Sequence, residues 1–272
     1  MGTTWYAQSS SSNIDAVNLW NSAAGGGGSW LTWPPAADDI LRANGKTGLV
    51  INVDFTCLQI DTLTSGGRFD AATTRTITCN VVGGTTVCLS ITTAAITVTL
   101  NGNVTGSNTT ATSAITAYAA FTLNVNGNVT AGTRGKGISA TSPAVVIVGN
   151  VAGGAVGYDT AVGVDLRGTG SVTITGNVTG GATNSSYGVW VGGTGSLSLT
   201  GDVTGGTNAT AVGLYLDSTA GPFTVNGNVA GGTAGAGIYS RNVAVTVVGG
   251  NLIENGGGCL ARKRPGGRRK LL

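Results

Sequence analysis

The eleven carboxylates are the residues that could carry acid–base chemistry, because the sequence contains no histidine. Hydrolysis of a glycosidic bond needs two carboxyl groups that face each other across the substrate. Asp165 and Asp217 lie two sequence repeats apart and two positions out of register. Asp38 and Asp39 are adjacent, and in an extended segment they would face opposite ways. The sequence therefore predicts no catalytic residues and no enzyme; a site assembled from separate chains is the remaining alternative.

The four cysteines are the other residues with potential chemistry: Cys57, Cys79, Cys88 and Cys259. They form no CxxC pair and have no histidine to join them, so they do not match the ligand spacing of a zinc site. Cys79 and Cys88 could pair, but we expect small buried apolar residues instead. The Gly-rich pairs lack the helix and lysine that follow a phosphate-binding loop. No metal and no cofactor is predicted.

A Gly-rich phrase returns along most of the chain and sets its organisation. The glycine that opens each "GNV" phrase, or its equivalent, lies at positions 102, 127, 149, 176, 201, 227 and 250. A second phrase, as in "GVDL", "GVWV" and "GLYL", repeats in step with it, and an apolar segment such as "SVTI" precedes each first phrase. Three short apolar segments in each unit of about 25 residues indicate a solenoid.

The alternation of side chains within each unit predicts the fold class. In "SVTITGNV", Val172, Ile174 and Val178 share one parity, and the threonines between them have the other. Period-two alternation turns the first set inward and the second set outward. One unit cannot bury its own apolar side, so units must stack. We predict an all-β, right-handed parallel β-helix of about eight or nine coils over residues 49–255.

An asparagine follows the glycine of most first phrases, and Asp202 takes its place in one of them. Stacked coils would bring these side chains into a single column. Amide side chains in such a column can bond from coil to coil, as they do in cross-β ladders. We interpret this column as structural.

Aromatic residues occupy one outward column of the second phrase. The column contains Ser139, Asp165, Trp190, Tyr215 and Tyr239. We expect its three aromatic members to form a flat apolar strip, beside outward glycines that leave the face low. Exposed aromatic strips mark interfaces, so the strip is predicted to be an oligomer interface. Stacking on sugar rings is the alternative, and the general preference of aromatic residues for strands is a third explanation.

Residues 1–48 differ from the repeats, and we predict a small irregular N-terminal cap or attachment module there. The candidate attachment residues are Trp5, Tyr6, Trp20, Trp30 and Trp33. These aromatic side chains either plug the open end of the solenoid or bind a neighbour. The stretch 11–24, "SSNIDAVNLWNSAA", has the capping residues of a short helix. The stretch 34–45, "PPAADDILRANG", fits a further helical turn or an irregular loop.

Residues 256–272 form a basic tail. Its candidate attachment residues are Arg262, Lys263, Arg264, Arg268, Arg269 and Lys270. Without them the chain has eight basic and eleven acidic residues, a net charge of −3, so the overall +3 does not indicate a nucleic-acid-binding surface. A solvated terminus is the alternative to a docking tail. No apolar run of about 18 residues and no signal-peptide pattern is visible, so we expect no membrane partner.

The N-terminal string from "WYAQSSSS" through "ANGKTGLVINVDFTC", followed by "NGNVTGG"-type coils, resembles virion proteins of tailed bacteriophages. In those proteins a Trp-rich start leads into a Gly-rich β-helix. The resemblance covers residues 5–57 and, in style, the coils. It implies an oligomeric, often trimeric, structural role and no catalytic residues.

These observations predict a non-enzymatic virion structural protein, assembled in the host cytoplasm, that decorates or cements the capsid. Its expected partners are further copies of itself, as a trimer, and other virion proteins such as the major capsid protein. The first alternative is a tail fibre or tailspike that binds a host-surface glycan through Trp190, Tyr215 and Tyr239. The second is a cellular adhesin-like β-helix.

Overall fold

A computed structural model gives the fold of the chain. The residues it describes are 2–9, 14–43, 46, 49–51, 53–62, 69–71, 74–83, 89–91, 95–107, 112–118, 120–141, 143–155, 161–182, 186–217, 222–240, 245–253 and 260–261. These residues form strands, turns and bends, and none of them is helical. The predicted all-β class is therefore confirmed.

The described strands follow one another in short segments. In chain order they are β1 (Thr4–Ala7), β2 (Trp20–Asn21), β3 (Ile40–Arg42), β4 (Leu49–Ile51), β5 (Phe55–Thr62), β6 (Phe69–Ala71), β7 (Arg75–Gly83), β8 (Leu89–Ile91), β9 (Thr97–Asn101), β10 (Val104–Thr105), β11 (Ile115–Ala117), β12 (Thr122–Asn126), β13 (Val129–Thr130), β14 (Ile138–Ala140), β15 (Ala144–Val148), β16 (Val151–Ala152), β17 (Val164–Leu166), β18 (Ser171–Thr175), β19 (Val178–Thr179), β20 (Tyr187–Val191), β21 (Ser196–Thr200), β22 (Val203–Thr204), β23 (Val212–Leu216), β24 (Phe223–Asn226), β25 (Val229–Ala230), β26 (Ile238–Ser240), β27 (Val245–Val248), β28 (Leu252–Ile253) and β29 (Leu260–Ala261).

Each regular coil contributes three strands, which stack on their counterparts in the next coil. The first strand and the short second strand belong to a 19-stranded sheet, and the third strand belongs to a 10-stranded sheet. The first strands β15, β18 and β21 pair in parallel and in register, and so do the third strands β17, β20 and β23. The chain is thus a parallel β-solenoid of about six turns, β9 to β26.

The core lies between the two sheets and is built from the inward parity of each strand. In β18, Val172 and Ile174 are buried while Ser171, Thr173 and Thr175 are exposed. The pairing sets Val172 beside the equivalent apolar residues of the coils before and after it. Burial of one such side chain stabilises the fold by about 1.5–3 kcal/mol. Stability therefore depends on contacts between coils, as the alternation predicted.

A glycine column marks the bend between the first and second strands of successive coils. The backbone of Gly176 has a φ of 145°, and a Cβ on it would lie 2.2 Å from the carbonyl oxygen of Gly149. Gly201 meets the carbonyl oxygen of Gly176 in the same way, at 2.3 Å. Any side chain here would force the coils apart, which is why glycine recurs at this position.

The column of Asn and Asp side chains next to these glycines is present, but its bonds differ from the prediction. Oδ1 of Asn150 accepts the backbone N–H of Asn177 at 2.8 Å, and Oδ1 of Asn177 accepts that of Asp202 at 2.9 Å. Oδ1 of Asp202 accepts the backbone N–H of Asn228 at 2.8 Å. The main donor is thus a backbone N–H and not a side-chain amide. A carboxylate therefore serves as well as an amide, which accounts for Asp202.

The N-terminal stretch 14–24 is not the predicted helix. Asn18 has a φ of 58°, which interrupts a helical backbone, and Val17 is exposed. Oδ1 of Asn21 accepts the N–H groups of Ala23 and Gly28, both at 2.9 Å. These side-chain-to-backbone bonds offer the chain an alternative to helical bonding. The segment therefore forms turns and the two-residue strand β2.

The described part of the stretch 34–45, residues 34–43, is not a helical turn either, because it contains a strand of the solenoid sheet. β3 pairs in parallel with β1 on one side and with β5 on the other. The buried carboxylate of Asp39 accepts the N–H groups of Thr3 at 2.8 Å and Ala36 at 2.9 Å. This carboxylate fastens the N-terminal segment to the turn that precedes β3.

Two of the four cysteines lie in the core of the first coils. Cys57 in β5 and Cys79 in β7 are buried, which agrees with their interpretation as small apolar residues. A hydrogen bond with Cys57 and burial raise the pKa of the Cys79 thiol well above its ordinary value. Cys79 thus faces Cys57, whereas Cys88, its predicted alternative partner, and Cys259 lie outside the described residues.

Candidate functional site

The predicted aromatic column lies on the third-strand sheet. The strand register places Trp190 beside Tyr215 and Tyr215 beside Tyr239, one residue per coil. The rings of Trp190 and Tyr215 are nearly perpendicular, with centroids 6.3 Å apart. The rings of Tyr215 and Tyr239 are stacked at 4.8 Å, with their planes 7° apart. All three side chains are half-buried, so the structure brings the column together as the sequence predicted.

A fourth aromatic residue, which the sequence argument missed, joins this column. Tyr187 lies 5.9 Å from Trp190 and 4.9 Å from Tyr215 between ring centroids. Its parity is opposite to that of Trp190, but Gly188 and Val189 are both buried and interrupt the alternation. The signal was the glycine that opens the second phrase, because a glycine inside a strand marks an irregularity.

The glycines of the second phrase are predicted to face outward, but the structure buries them. Gly188 is buried, and a Cβ on it would meet the carbonyl oxygen of Thr204 at 2.6 Å and the side chain of Val203 at 2.7 Å. Gly163 and Gly213 are also buried, in equivalent positions. These glycines let the third strand approach the second strand of the next coil. They therefore shape the core and not the surface.

Asp165 belongs to the same outward column, yet its side chain is completely buried. The Nε of Arg167 lies 3.0 and 2.9 Å from its two carboxylate oxygens, and the ammonium group of Lys136 donates to Oδ2. Two cations thus cover one carboxylate that outward parity alone would leave in water. Burial of a charge requires this kind of pairing, and the removal of one partner is strongly destabilising.

Arg167 joins this ion cluster to the aromatic column. Its guanidinium carbon lies 4.2 Å from the ring centroid of Trp190, a cation–π contact. Half of the Arg167 side chain remains exposed. We call the set Tyr187, Trp190, Tyr215, Tyr239 and Arg167 the aromatic patch.

The ring geometry decides what the aromatic patch offers to a ligand. Arg167 covers one face of Trp190, and Tyr215 and Tyr239 stack on each other. A sugar ring would stack on a free aromatic face, and these contacts occupy several such faces. The patch therefore presents ring edges and a guanidinium group. Edges of this kind pack well against the side chains of a protein partner.

The N-terminal aromatic residues are distributed over two places. Trp20, Trp30 and Trp33 line one open pocket of about 390 Å³, together with Val17 at its rim. Val17 is 90% exposed and Trp30 is 43% exposed, so two large apolar side chains of the pocket face solvent. We call this feature the N-terminal pocket.

The other contacts of the N-terminal tryptophans are structural. The Trp20 Nε1–H donates to the carbonyl of Ile14 at 2.6 Å, and Trp33 packs edge-on against Phe55, with centroids 5.5 Å apart. Trp5 is half-buried against the core. Tyr6 lies beneath the guanidinium group of Arg42, at 5.5 Å. Trp5 and Tyr6 thus belong to β1 and do not line the N-terminal pocket.

The six basic residues proposed for attachment by the tail lie outside the described residues: Arg262, Lys263, Arg264, Arg268, Arg269 and Lys270. In the described part of the chain no three His, Cys, Asp or Glu side chains come close enough together to hold a metal ion. No helix there is long and apolar enough to cross a membrane.

Comparison of the chain with protein-family models, with curated proteins and with solved structures found no match. The features that bear on function are therefore the aromatic patch, the N-terminal pocket and the solenoid itself.

Proposed function

We propose that the chain is a non-enzymatic structural protein of a virion, which decorates or cements the capsid as an oligomer. The observation that carries this proposal is the aromatic patch on a rod of stacked coils. The proposal includes a trimer, contacts with other virion proteins such as the major capsid protein, and assembly in the host cytoplasm. The right-handed winding and the full count of eight or nine coils stay predictions.

The contacts of the aromatic patch support an interface between proteins. Tyr, Trp and Arg are the residues that most often dominate the energy of such interfaces. The patch combines all three, and Arg167 is already oriented by Asp165 and Trp190. Because these side chains are fixed before binding, little conformational entropy is lost on association. The patch is thus a preorganised contact surface.

The roles of the acidic side chains support a non-enzymatic function. Asp39 and Asp54 accept backbone N–H bonds, Asp202 bonds between coils, and Asp165 is ion-paired. General acid–base catalysis needs a carboxyl group within reach of a substrate. Four of the acids are thus engaged in holding the fold.

The N-terminal pocket supports attachment to another virion protein. An open pocket lined by three tryptophans suits an inserted apolar side chain, and its exposed rim extends the contact. This agrees with the predicted role of residues 1–48 as an attachment module. The pocket and the aromatic patch are separate surfaces, so one can bind the shell while the other joins copies of the chain.

A tail fibre that binds a host glycan is the second candidate function. Half-exposed tyrosines and an arginine are common in sugar-binding sites, and the patch has both. The occupied ring faces described above favour a protein partner over a sugar. A binding assay can separate the two functions.

The double variant Trp190→Ala, Tyr215→Ala tests the role of the patch. Loss of such central aromatic residues costs about 2 kcal/mol or more, so we expect the oligomer to dissociate at least about 30-fold more readily. Sedimentation velocity measures the change. Tyr118→Ala is the matched control, because Tyr118 is 62% exposed and lies outside the patch. An unchanged oligomer together with lost glycan binding would favour the tail fibre.

The position of the protein in a particle tests the wider proposal. Electron microscopy of intact virions should show regular copies over the shell if the protein decorates the capsid. A few copies at the tail would support the fibre. Absence from the particle would contradict both candidates.

A further inference from the structure

In the described part of the regular coils, all but one of the charged side chains lie on one side of the solenoid. Among the described residues 95–253, the charged ones are Arg134, Lys136, Asp165, Arg167, Asp202 and Asp217. All but Asp202 lie on the third strands or on the connections that flank them. Asp202 is at the bend, where it bonds to Asn228. The seven first strands from β9 to β27 therefore carry no charge.

We call the outward side of these seven strands the charge-free face. Its members are Thr97, Thr99, Asn101, Thr122, Asn124, Asn126, Ala144, Val146, Val148, Ser171, Thr173, Thr175, Ser196, Ser198, Thr200, Thr224, Asn226, Thr246 and Val248. They are small or β-branched side chains on strands that pair in parallel and in register. The face is thus a regular surface with no long side chain to keep a second surface away.

The valines of this face indicate a protein partner. Val148 is 53% exposed and Val248 is 46% exposed, on a surface otherwise made of hydroxyl, amide and methyl groups. The water-facing surface of a monomeric protein normally includes charged side chains, because Lys, Glu, Arg and Asp are mostly exposed. This face has none over its seven strands. Mixed Thr and Val surfaces are well suited to face-to-face packing of two sheets, about 10 Å apart.

The missing charges also decide which partner fits. A partner with Lys, Arg, Asp or Glu at the contact would lose the hydration of these groups and gain no counter-charge. The partner surface must therefore be charge-free as well. The chain itself supplies such a surface. We propose that the charge-free face binds the same face of a second copy of this chain, as a two-fold symmetric contact.

The size of the face sets the expected strength of this contact. Seven strands about 4.8 Å apart and five residues wide cover about 500 Å². A stable interface buries about 800 Å² per partner, so this contact is a small one. We expect it to be concentration-dependent, with a dissociation constant in the micromolar range. It is independent of the aromatic patch and does not require a virion.

The double variant Thr173→Lys, Ser198→Lys tests the proposal. The two positions are exposed and adjacent on neighbouring coils, so two lysines would stand at the centre of the face. We expect the dissociation constant of the pair to rise at least about tenfold, because the lysines lose hydration on contact. Sedimentation velocity over a range of concentrations measures it, and circular dichroism verifies that the coils remain folded.

Thr207→Lys, Thr233→Lys is the matched control. These threonines are also exposed and also equivalent in two successive coils, but they follow the second strand and lie off the face. The control should associate like the wild type. A wild-type chain that stays monomeric at the highest concentration would overturn the proposal, and so would a face variant that associates as tightly as its control.

The variants of the aromatic patch distinguish this contact from the proposed function. If Trp190→Ala, Tyr215→Ala abolishes all association while Thr173→Lys, Ser198→Lys changes nothing, the patch alone joins copies and the present proposal is wrong. If the reverse holds, the charge-free face joins copies and the oligomer role of the patch is wrong. Binding of the wild-type chain, as a monomer, to an ordered solid such as crystalline polysaccharide would overturn the second-copy assignment.

Discussion

The two faces of this solenoid are built by the same repeat, yet they differ in almost every outward residue. The third-strand face has a buried ion cluster and four aromatic rings. The charge-free face has neither an ion nor a ring over seven strands. Inward residues and bends are nearly the same from coil to coil. The difference shows that the repeat fixes the interior and the backbone, while each outward column is free to take a separate role.

The physical reason is that most outward side chains on a parallel sheet do not set the register in which the coils stack. Stacking depends on apolar burial, on the backbone ladder and on the close approach at Gly176 and its equivalents. A change on one face therefore has little effect on the other, because their side chains are separated by the core. Substitutions can test this independence directly.

Asp165→Ala should have the largest effect on stability. Its removal leaves Lys136 and Arg167 without their shared counter-charge, so the free energy of unfolding should fall by about 3–5 kcal/mol. Urea denaturation followed by circular dichroism measures the loss. Asp202→Asn is the matched acid on the bend, and it should change stability by less than about 0.5 kcal/mol because the acceptor oxygen is kept. Equal losses of stability in Asp165→Ala and Asp202→Asn would contradict the contrast between the third-strand face and the bend.

Much of this contrast could be predicted from the sequence, but its cause could not. Parity and repeat length placed Trp190, Tyr215 and Tyr239 in one column, and the register confirms it. The same parity predicted that the side chain of Asp165 would face water. Its burial depends on Lys136, which comes from the connection before β14. The spacing of the repeats does not predict the direction in which a long side chain such as that of Lys136 extends.

The inward side of the first coils should show a pH effect that their outward side lacks. The Cys79 thiol has a raised pKa, so the folded chain keeps its proton when the unfolded chain loses it above about pH 8.5. Stability should be unaffected below that pH and should then fall by up to about 1.4 kcal/mol per pH unit. Urea denaturation at several pH values between about 7.5 and 9.5 measures the slope of the free energy of unfolding against pH.

Cys79→Ser is the control for this effect, because serine keeps a hydrogen-bonding group and does not titrate in that range. The other cysteines are the same in both proteins, so the difference between the two slopes belongs to Cys79. Identical slopes would show that the burial of Cys79 does not control the alkaline stability.

Asn177→Ala should have the smallest of these effects. It removes the acceptor of the Asp202 N–H at the bend between the first and second strands, and we expect a loss of about 1 kcal/mol. Asn177→Asp keeps an acceptor and should be close to wild type. Thermal denaturation of the three proteins compares them. If Asn177→Asp lost as much stability as Asn177→Ala, the result would support the amide-to-amide ladder that the sequence predicted.

The N-terminal segment shows a different limit of sequence reasoning. Helix capping residues are present at 11–24, but Asn21 uses its side chain to close the Gly-rich turn instead. The same residue types serve caps and turns, so propensity alone cannot separate them. Tyr187 was missed for a related reason, since the alternation fails at Gly188.

The glycine column has a consequence for how the coils find one another. Each of these glycines lies against the backbone of its predecessor, as Gly227 does at the carbonyl oxygen of Gly201, where a Cβ would be 2.1 Å away. A coil that docks one residue out of step would bring a side chain to this point and could not close. The column therefore allows each new coil to stack on the preceding one only in the correct register during folding.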